Sequence, residues 1–387
     1  MSTVPHADLV ARIHEAMSTV IDPEIRRPIT ELDMVKSVSI ASDDDNGAHV
    51  VIAINLTTEG CPMKSAIEER VSVAAQGIDG VARVTVELGA MTPDQREALK
   101  VKLRGSATPV IPFTQPGNLT RIYAIASGKG GVGKSTVTAN LAAAMAAQGL
   151  SVGVIDADIY GFSIPRLLGA RSVPTKVGSM LLPPIAHEVK VVSIGMFVPA
   201  GQPVVWRGPM LHRALEQFLT DVYWGDLDVL LLDLPPGTGD IAISVAQLLP
   251  HSEILTITTP QLAASEVAER AGSIALQTRQ PLAGVIENMS WYEQPDGTRV
   301  PLFGQGGGQQ VAASLTTVSG RDVPLLGQIP LDMTLREDGD EGTPVVLAHP
   351  TSPAAVTLRE IASQLGHHER GLAGMRLTVT PVSGSSQ

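Results

Sequence analysis

The feature that most constrains this chain is Gly128-Lys129-Gly130-Gly131-Val132-Gly133-Lys134-Ser135, which fits G-x-x-x-x-G-K-S. An apolar run at 122–126 leads into it, and an alanine-rich segment at 136–148 follows, with Gly149 placed to end a helix. Read as strand, loop and helix, the unit binds phosphate. Glycines let backbone N–H groups turn inward on phosphate oxygens, Lys134 meets the terminal phosphates and Ser135, followed by Thr136, ligates Mg²⁺. The helix beginning near Lys134 points its positive end at the same anion.

At 387 residues the chain exceeds one typical domain, so two are expected. Its 28 Lys plus Arg against 39 Asp plus Glu give a net charge of −11 with no basic block, which speaks against a nucleic-acid partner and against anchoring to anionic lipid. The first residues lack a signal-type apolar core and no stretch approaches the ~20 apolar residues of a membrane helix, which predicts a cytoplasmic protein. Cys61 is the sole cysteine. It excludes an internal disulfide and any metal site built from the cysteines of one chain.

Taken in order, helical spacing at 9–17, strand-like runs at 34–40 and 49–56, a helix at 63–76, a strand at 81–88 and a helix at 93–104 predict a small α/β domain over 1–104. Pro62 is a natural first helical residue, so Cys61 falls at the N-cap, where the helix terminus would lower its thiol pKa. A thiolate there could hold metal; a small half-buried cap residue without reactivity is the other reading. Residues 105–118, with three prolines, read as an extended linker. The second domain, 119–370, reads as α/β with a doubly wound, mostly parallel sheet. Its strands fall at 152–155, 189–194, 229–233, 254–258, 282–286 and 325–329, and its later helices at 208–220, 263–277 and 353–365. Residues 170–203 suggest no task, and 371–387 read as a tail that frays.

Asp156 and Asp158 follow the second strand at the edge where such a sheet binds its ligand. Two carboxylates there suit Mg²⁺ and a polarised water, with a helix-capping turn as the alternative. The apolar strand 229–233 delivers Asp233 to the same edge, as a Walker B requires. Asp233 would reach Mg²⁺ through water, and Gly237 offers an N–H able to sense a γ-phosphate.

The loop pattern K-G-G-x-G-K-S, D-A-D-I-Y-G at 156–161, W-R-G-P-M at 206–210, D-L-P-P-G-T-G-D at 233–240 and I-E-N-M-S at 286–290 together resemble the Mrp/ApbC branch of the MinD-like P-loop ATPases over 121–367. D-P-E-I at 22–25 and T-x-x-x-C-P at 57–62 resemble the small domain of iron–sulfur assembly proteins. The resemblance implies a P-loop NTPase fold, ATP and Mg²⁺, a homodimer, and delivery of a [4Fe–4S] cluster to apoproteins. By the same resemblance Lys129 reaches across the dimer to the partner's phosphates, as an arginine finger would; a solvated loop lysine is the alternative. Asp156 would belong to the metal's outer shell, Asp158 would orient the attacking water, Asn288 would recognise the base and Pro330 would wall it. Lys129, Lys134 and Asp158 thus become the catalytic candidates.

One departure cuts against this. Family members hold the cluster between subunits with a C-x-x-C pair just after the position of Ser290, and 291–298 contain no cysteine. Iron in such clusters prefers thiolate, and a dimer offers only two copies of Cys61, two ligands short of four unless a partner or small thiol adds them. Two functions therefore remain: a cluster carrier, or an ATP-dependent scaffold that recruits assembly factors and holds no cluster.

Overall fold

The computed structural model describes residues 6–44, 47–105, 110–159, 161–197, 208–237, 240–261, 270 and 274–366. In the first part, His6–Met17 (α1) buries Leu9, Ile13 and Met17 at helical spacing. Val35–Asp44 (β1) pairs antiparallel with Gly47–Leu56 (β2), in which alternate residues from Ala48 to Leu56 turn inward. Lys64–Gln76 (α2) crosses over to Val81–Ala90 (β3), which pairs parallel with β2. Pro93–Arg104 (α3) opens on a capping box in which Thr92 and Gln95 each accept the other's backbone N–H through their side chains.

The second part runs Arg121–Ala126 (β4), Lys134–Ala147 (α4), Val152–Asp156 (β5), Ile164–Leu167 (α5), Thr175–Val177 (β6), Met180–Leu182 (β7), Ile185–Ala186 (β8), Val189–Ser193 (β9), Gly208–Thr220 (α6), Val229–Asp233 (β10) and Asp240–Leu248 (α7). It continues through Glu253–Thr258 (β11), Leu282–Glu293 (β12), Arg299–Val300 (β13), Gly307–Ser319 (α8), Leu325–Leu331 (β14), Met333–Glu341 (α9), Val345–Ala348 (α10) and Pro353–Gly366 (α11). The main sheet is ordered β13-β12-β11-β4-β10-β5-β9-β8, with β14 beside β12. Among the described residues only β8 and β13 pair antiparallel within it, so the expected doubly wound, mostly parallel sheet is what forms. The physical reason lies in the strands: β5, β9 and β10 are buried at every position, which requires cover on both faces. α4 and α11 share the core on one face, and α6 and α7 that on the other.

Three expectations change. The linker is not a bare spacer, because Phe113 is buried in the second domain's core with its ring 6.4 Å from that of Trp224. β12 runs on to Glu293, well past the end expected near 286. Residues 170–203, which suggested no task and only a strand at 189–194, also contain the β6–β7 hairpin, whose Val177, Met180 and Leu182 are fully buried in the core of the first domain. The helix expected at 263–277 falls mostly outside the described residues, as does the tail. Among the described residues no helix is long and apolar enough to cross a membrane.

Candidate functional site

β4 ends in the glycine-rich loop, and α4 starts at Lys134 with Gly133 as its N-cap. Gly131 and Gly133 have φ of 82° and 80°, the left-handed region that glycine enters without a Cβ penalty. A Cβ on Gly133 would also lie 2.3 Å from Asn288 Nδ2, so this position excludes a side chain twice over. At its far end α4 closes as the sequence indicates: Gly149 N–H donates to the Ala146 carbonyl and Leu150 N–H to that of Met145.

Three carbonyls of the loop are held by groups outside it. Gly237 N–H donates to Ser127 at 2.9 Å, Arg270 Nη1 to Gly128 at 2.6 Å and Asn288 Nδ2 to Val132 at 2.9 Å. In a trans peptide the following N–H points the opposite way, so these bonds orient the N–H groups of Gly128, Lys129 and Gly133. Two of the expected nucleotide-sensing donors are engaged within the loop in this conformation: the Gly237 N–H, expected to sense a γ-phosphate, by Ser127, and the Asn288 Nδ2, expected to read the base, by Val132.

The buried centre of the site is Asp233, at 0 % exposure. Its Oδ2 lies 2.7 Å from Lys134 Nζ and accepts from Ser135 Oγ at 2.6 Å, while Oδ1 accepts from Thr138 Oγ1 at 2.8 Å. A hydroxyl and a carboxylate in contact at a helix N-terminus are hard oxygen donors, and this donor set fits Mg²⁺. Lys129 donates from Nζ to Gln261 Oε1 at 2.5 Å. That contact tethers Lys129 within its own chain while leaving it at the solvent-exposed surface of the site.

Asp156 is paired with Asp233 in register across β5 and β10. Its oxygens accept from the N–H groups of Asp158, Ser163 and Ile164 and from Ser193 Oγ. The capping alternative is therefore what the geometry shows: Asp156 folds the loop that carries the nearly buried Asp158 and starts α5. Burial, with the Asp233 charge behind it, pushes the Asp156 carboxyl up to about 7. Beside the loop, a pocket of about 280 Å³ is lined by Gly133, Thr136, Arg166, Asn288 and Pro330 among others, so Asn288 and Pro330 do share a wall. Thr138, Arg166, Gln261 and Arg270 were missed. Thr138 alone had a local signal, a hydroxyl one turn after Ser135; the others meet the site only through tertiary contacts.

A family described as NUBPL iron-transfer P-loop NTPase matches residues 118–366, and one described as iron-sulfur cluster assembly protein matches 11–88. The chain belongs to the iron-transfer P-loop NTPase family. It is 61 % identical over 383 residues to a Mycobacterium tuberculosis protein named iron-sulfur cluster carrier protein, covering 99 % of this chain and 100 % of that one. A Deinococcus radiodurans protein of the same name is 40 % identical over 353 residues, 90 % of this chain and 93 % of its own. Among solved structures, a nucleotide-binding protein from Archaeoglobus fulgidus in complex with ADP is 36 % identical over 57 % of this chain and 86 % of that chain, with a TM-score of 0.49.

Within this iron-transfer NTPase, the two places where iron chemistry was sought look different from expectation. Residues 291–298 form the end of β12 and a turn into β13, closed by Gln294 N–H donating to the Thr298 carbonyl at 2.9 Å. The Arg299 guanidinium lies 4.4 Å from the centroid of the Trp291 ring, a cation–π contact across the hairpin. Cys61 is not a helix cap: α2 begins at Lys64 with Met63 as N-cap. The thiol is 7 % exposed and donates to Glu24 Oε2 at 3.5 Å. Burial first and the nearby Glu24 charge second push it up to about 12, the reverse of the expected lowering. Among the described residues no group of three or more His, Cys, Asp or Glu is placed to hold a metal ion.

Proposed function

We propose that this protein is an ATP-hydrolysing, homodimeric iron–sulfur cluster carrier whose nucleotide is gripped by the loop 128–136. The observation that carries the reading is the contact of Lys134, Ser135 and Thr138 with buried Asp233, a charged centre at a helix N-terminus in a family of iron-transfer NTPases. Lys134 would exchange its carboxylate for the β- and γ-phosphates, and the pocket beside Asn288 and Pro330 would take the adenine. Ser135, with Asp233 behind it, would hold Mg²⁺, which would supply charge neutralisation on the phosphates. Asp158 orients a water on the γ-phosphorus; the bond to the bridging oxygen breaks, leaving ADP and phosphate. Lys129 would leave Gln261 for the partner subunit's nucleotide, so that dimer closure replaces a neutral contact by a charge-assisted one.

The cargo needs more thiolate than the chain offers. Cys61 is single, buried and held in its protonated form, which specifically favours the second reading, an ATP-dependent scaffold for apoproteins and assembly factors. Anaerobic reconstitution with iron and sulfide separates the two. Bound iron and sulfide that vanish in Cys61→Ser support carriage by this chain, whereas colourless protein under all conditions, with ATPase activity intact, supports the scaffold.

A further inference from the structure

The β6–β7 hairpin belongs to the NTPase domain by chain but to the first domain by packing. Val177, Met180 and Leu182 complete the first domain's core, while Leu181, between the last two, turns the other way onto the core of the NTPase. Backbone bonds fix that side: Leu181 N–H donates to the Asp221 carbonyl and Tyr223 N–H to that of Leu181. From the first domain, Arg104 Nη2 reaches the carbonyl of the same Asp221 at 3.3 Å, and Lys100 Nζ reaches Ser179 Oγ at 3.3 Å.

At the hairpin's start, Thr175 Oγ1 donates at 2.9 Å to Glu24 Oε1, and the other oxygen of that carboxylate accepts from Cys61. The only thiol is thus one carboxylate away from the NTPase domain. Both ends of the hairpin also lead back to the nucleotide loops. Sixteen residues before Thr175 the chain passes Ile159, next to Asp158; on the other side, Asp221 directly follows α6, which packs through Leu211 and Leu215 in one cluster with Ile241 and Val245 of α7, the helix after the Gly237 loop.

We infer that the β6–β7 hairpin is a strap that keeps Cys61 covered, and that the phosphate state of the nucleotide at the P-loop sets how firmly the strap is seated. The first half stands on the packing alone; the second rests on the nucleotide reading above. Exposure of the thiol then proceeds through local opening of the strap, so its reactivity reports the opening equilibrium. Covered, the thiol is kept from adventitious oxidation and from metal; uncovered, it becomes the one sulfur this chain can offer.

Because the chain has a single cysteine, alkylation by iodoacetamide followed by mass spectrometry reads the strap without ambiguity. The full chain is labelled with MgADP and with a non-hydrolysable Mg–ATP analogue, and bound nucleotide is measured in the same samples by equilibrium dialysis. The wild-type rate is expected to be far below that of the urea-unfolded chain and to differ at least about tenfold between the two nucleotides. Met180→Asp, which places a carboxylate where the strap is buried, should label about a hundredfold faster and lose the nucleotide dependence. Should that variant fail to fold, Thr175→Val removes only the bond to Glu24 and should label about fivefold faster. Wild-type labelling at the unfolded rate, or unchanged labelling in Thr175→Val, overturns the strap. Equal rates with both nucleotides bound overturn the coupling while leaving the nucleotide reading intact, whereas no bound nucleotide in the dialysis overturns both.

Discussion

Removing the charge of Asp233 tests how this site is held together. The Lys134 ammonium is 6 % exposed and Asp233 is 0 % exposed, so neither charge has water to fall back on. Asp233→Asn keeps the volume and the acceptor for Thr138 but leaves a buried ammonium without its counter-ion. Stranding one partner of a buried pair costs about 3–5 kcal/mol. For a domain of this size each kcal/mol moves Tm by about 2–4 °C, so a fall of roughly 6–20 °C is expected. The pair Arg166–Asp340, 3.5 Å apart but 68 % and 54 % exposed, is the internal control. Asp340→Asn should cost less than about 1 kcal/mol. Both variants are followed by circular dichroism without nucleotide. If Asp233→Asn melts within a degree or two of wild type, the buried contact carries no energy and the reasoning about the site is wrong.

Other outcomes follow from the same geometry. Asp156 in the fold holds its proton up to about pH 7, well above the ordinary 3.8 of the unfolded chain, so it makes stability fall as pH rises between those values and then level off. Asp156→Asn should flatten that part of the wild-type curve of unfolding free energy against pH by an amount on the order of a few kcal/mol, and parallel curves for the two proteins would contradict the assignment. Gly133→Ala should fold yet lose nucleotide affinity by at least about a hundredfold in equilibrium dialysis, because the new Cβ collides with Asn288 and disfavours a φ of 80°. Phe113→Ala should destabilise the NTPase domain by about 3 kcal/mol in urea denaturation if residues 110–118 are anchored as the Trp224 contact indicates.

What could be read from the sequence was local. Strands buried on both faces announce themselves as unbroken apolar runs, and the loop, the start of α4 and its glycine end are encoded within a few residues of one another. The β6–β7 hairpin left no such trace, because three-residue strands are too short to show a period and its apolar side chains complete another domain's core. The polar run Glu287, Asn288 and Ser290 looks like a loop after a strand. It is instead buried within β12, where Glu287 accepts from Gly308 N–H and Gln328, and Asn288 serves Val132. The Cys61 expectation reversed for the same reason: proximity to Pro62 was visible, but the covering groups, Glu24 and Thr175, are distant in sequence.

Titration calorimetry of MgATP into wild type and Lys134→Ala tests most directly whether the loop holds triphosphate through Lys134. Saturable binding at one site per chain, absent from the variant, is the predicted result. Absence of binding to the wild-type protein, or binding unchanged in Lys134→Ala, would contradict it.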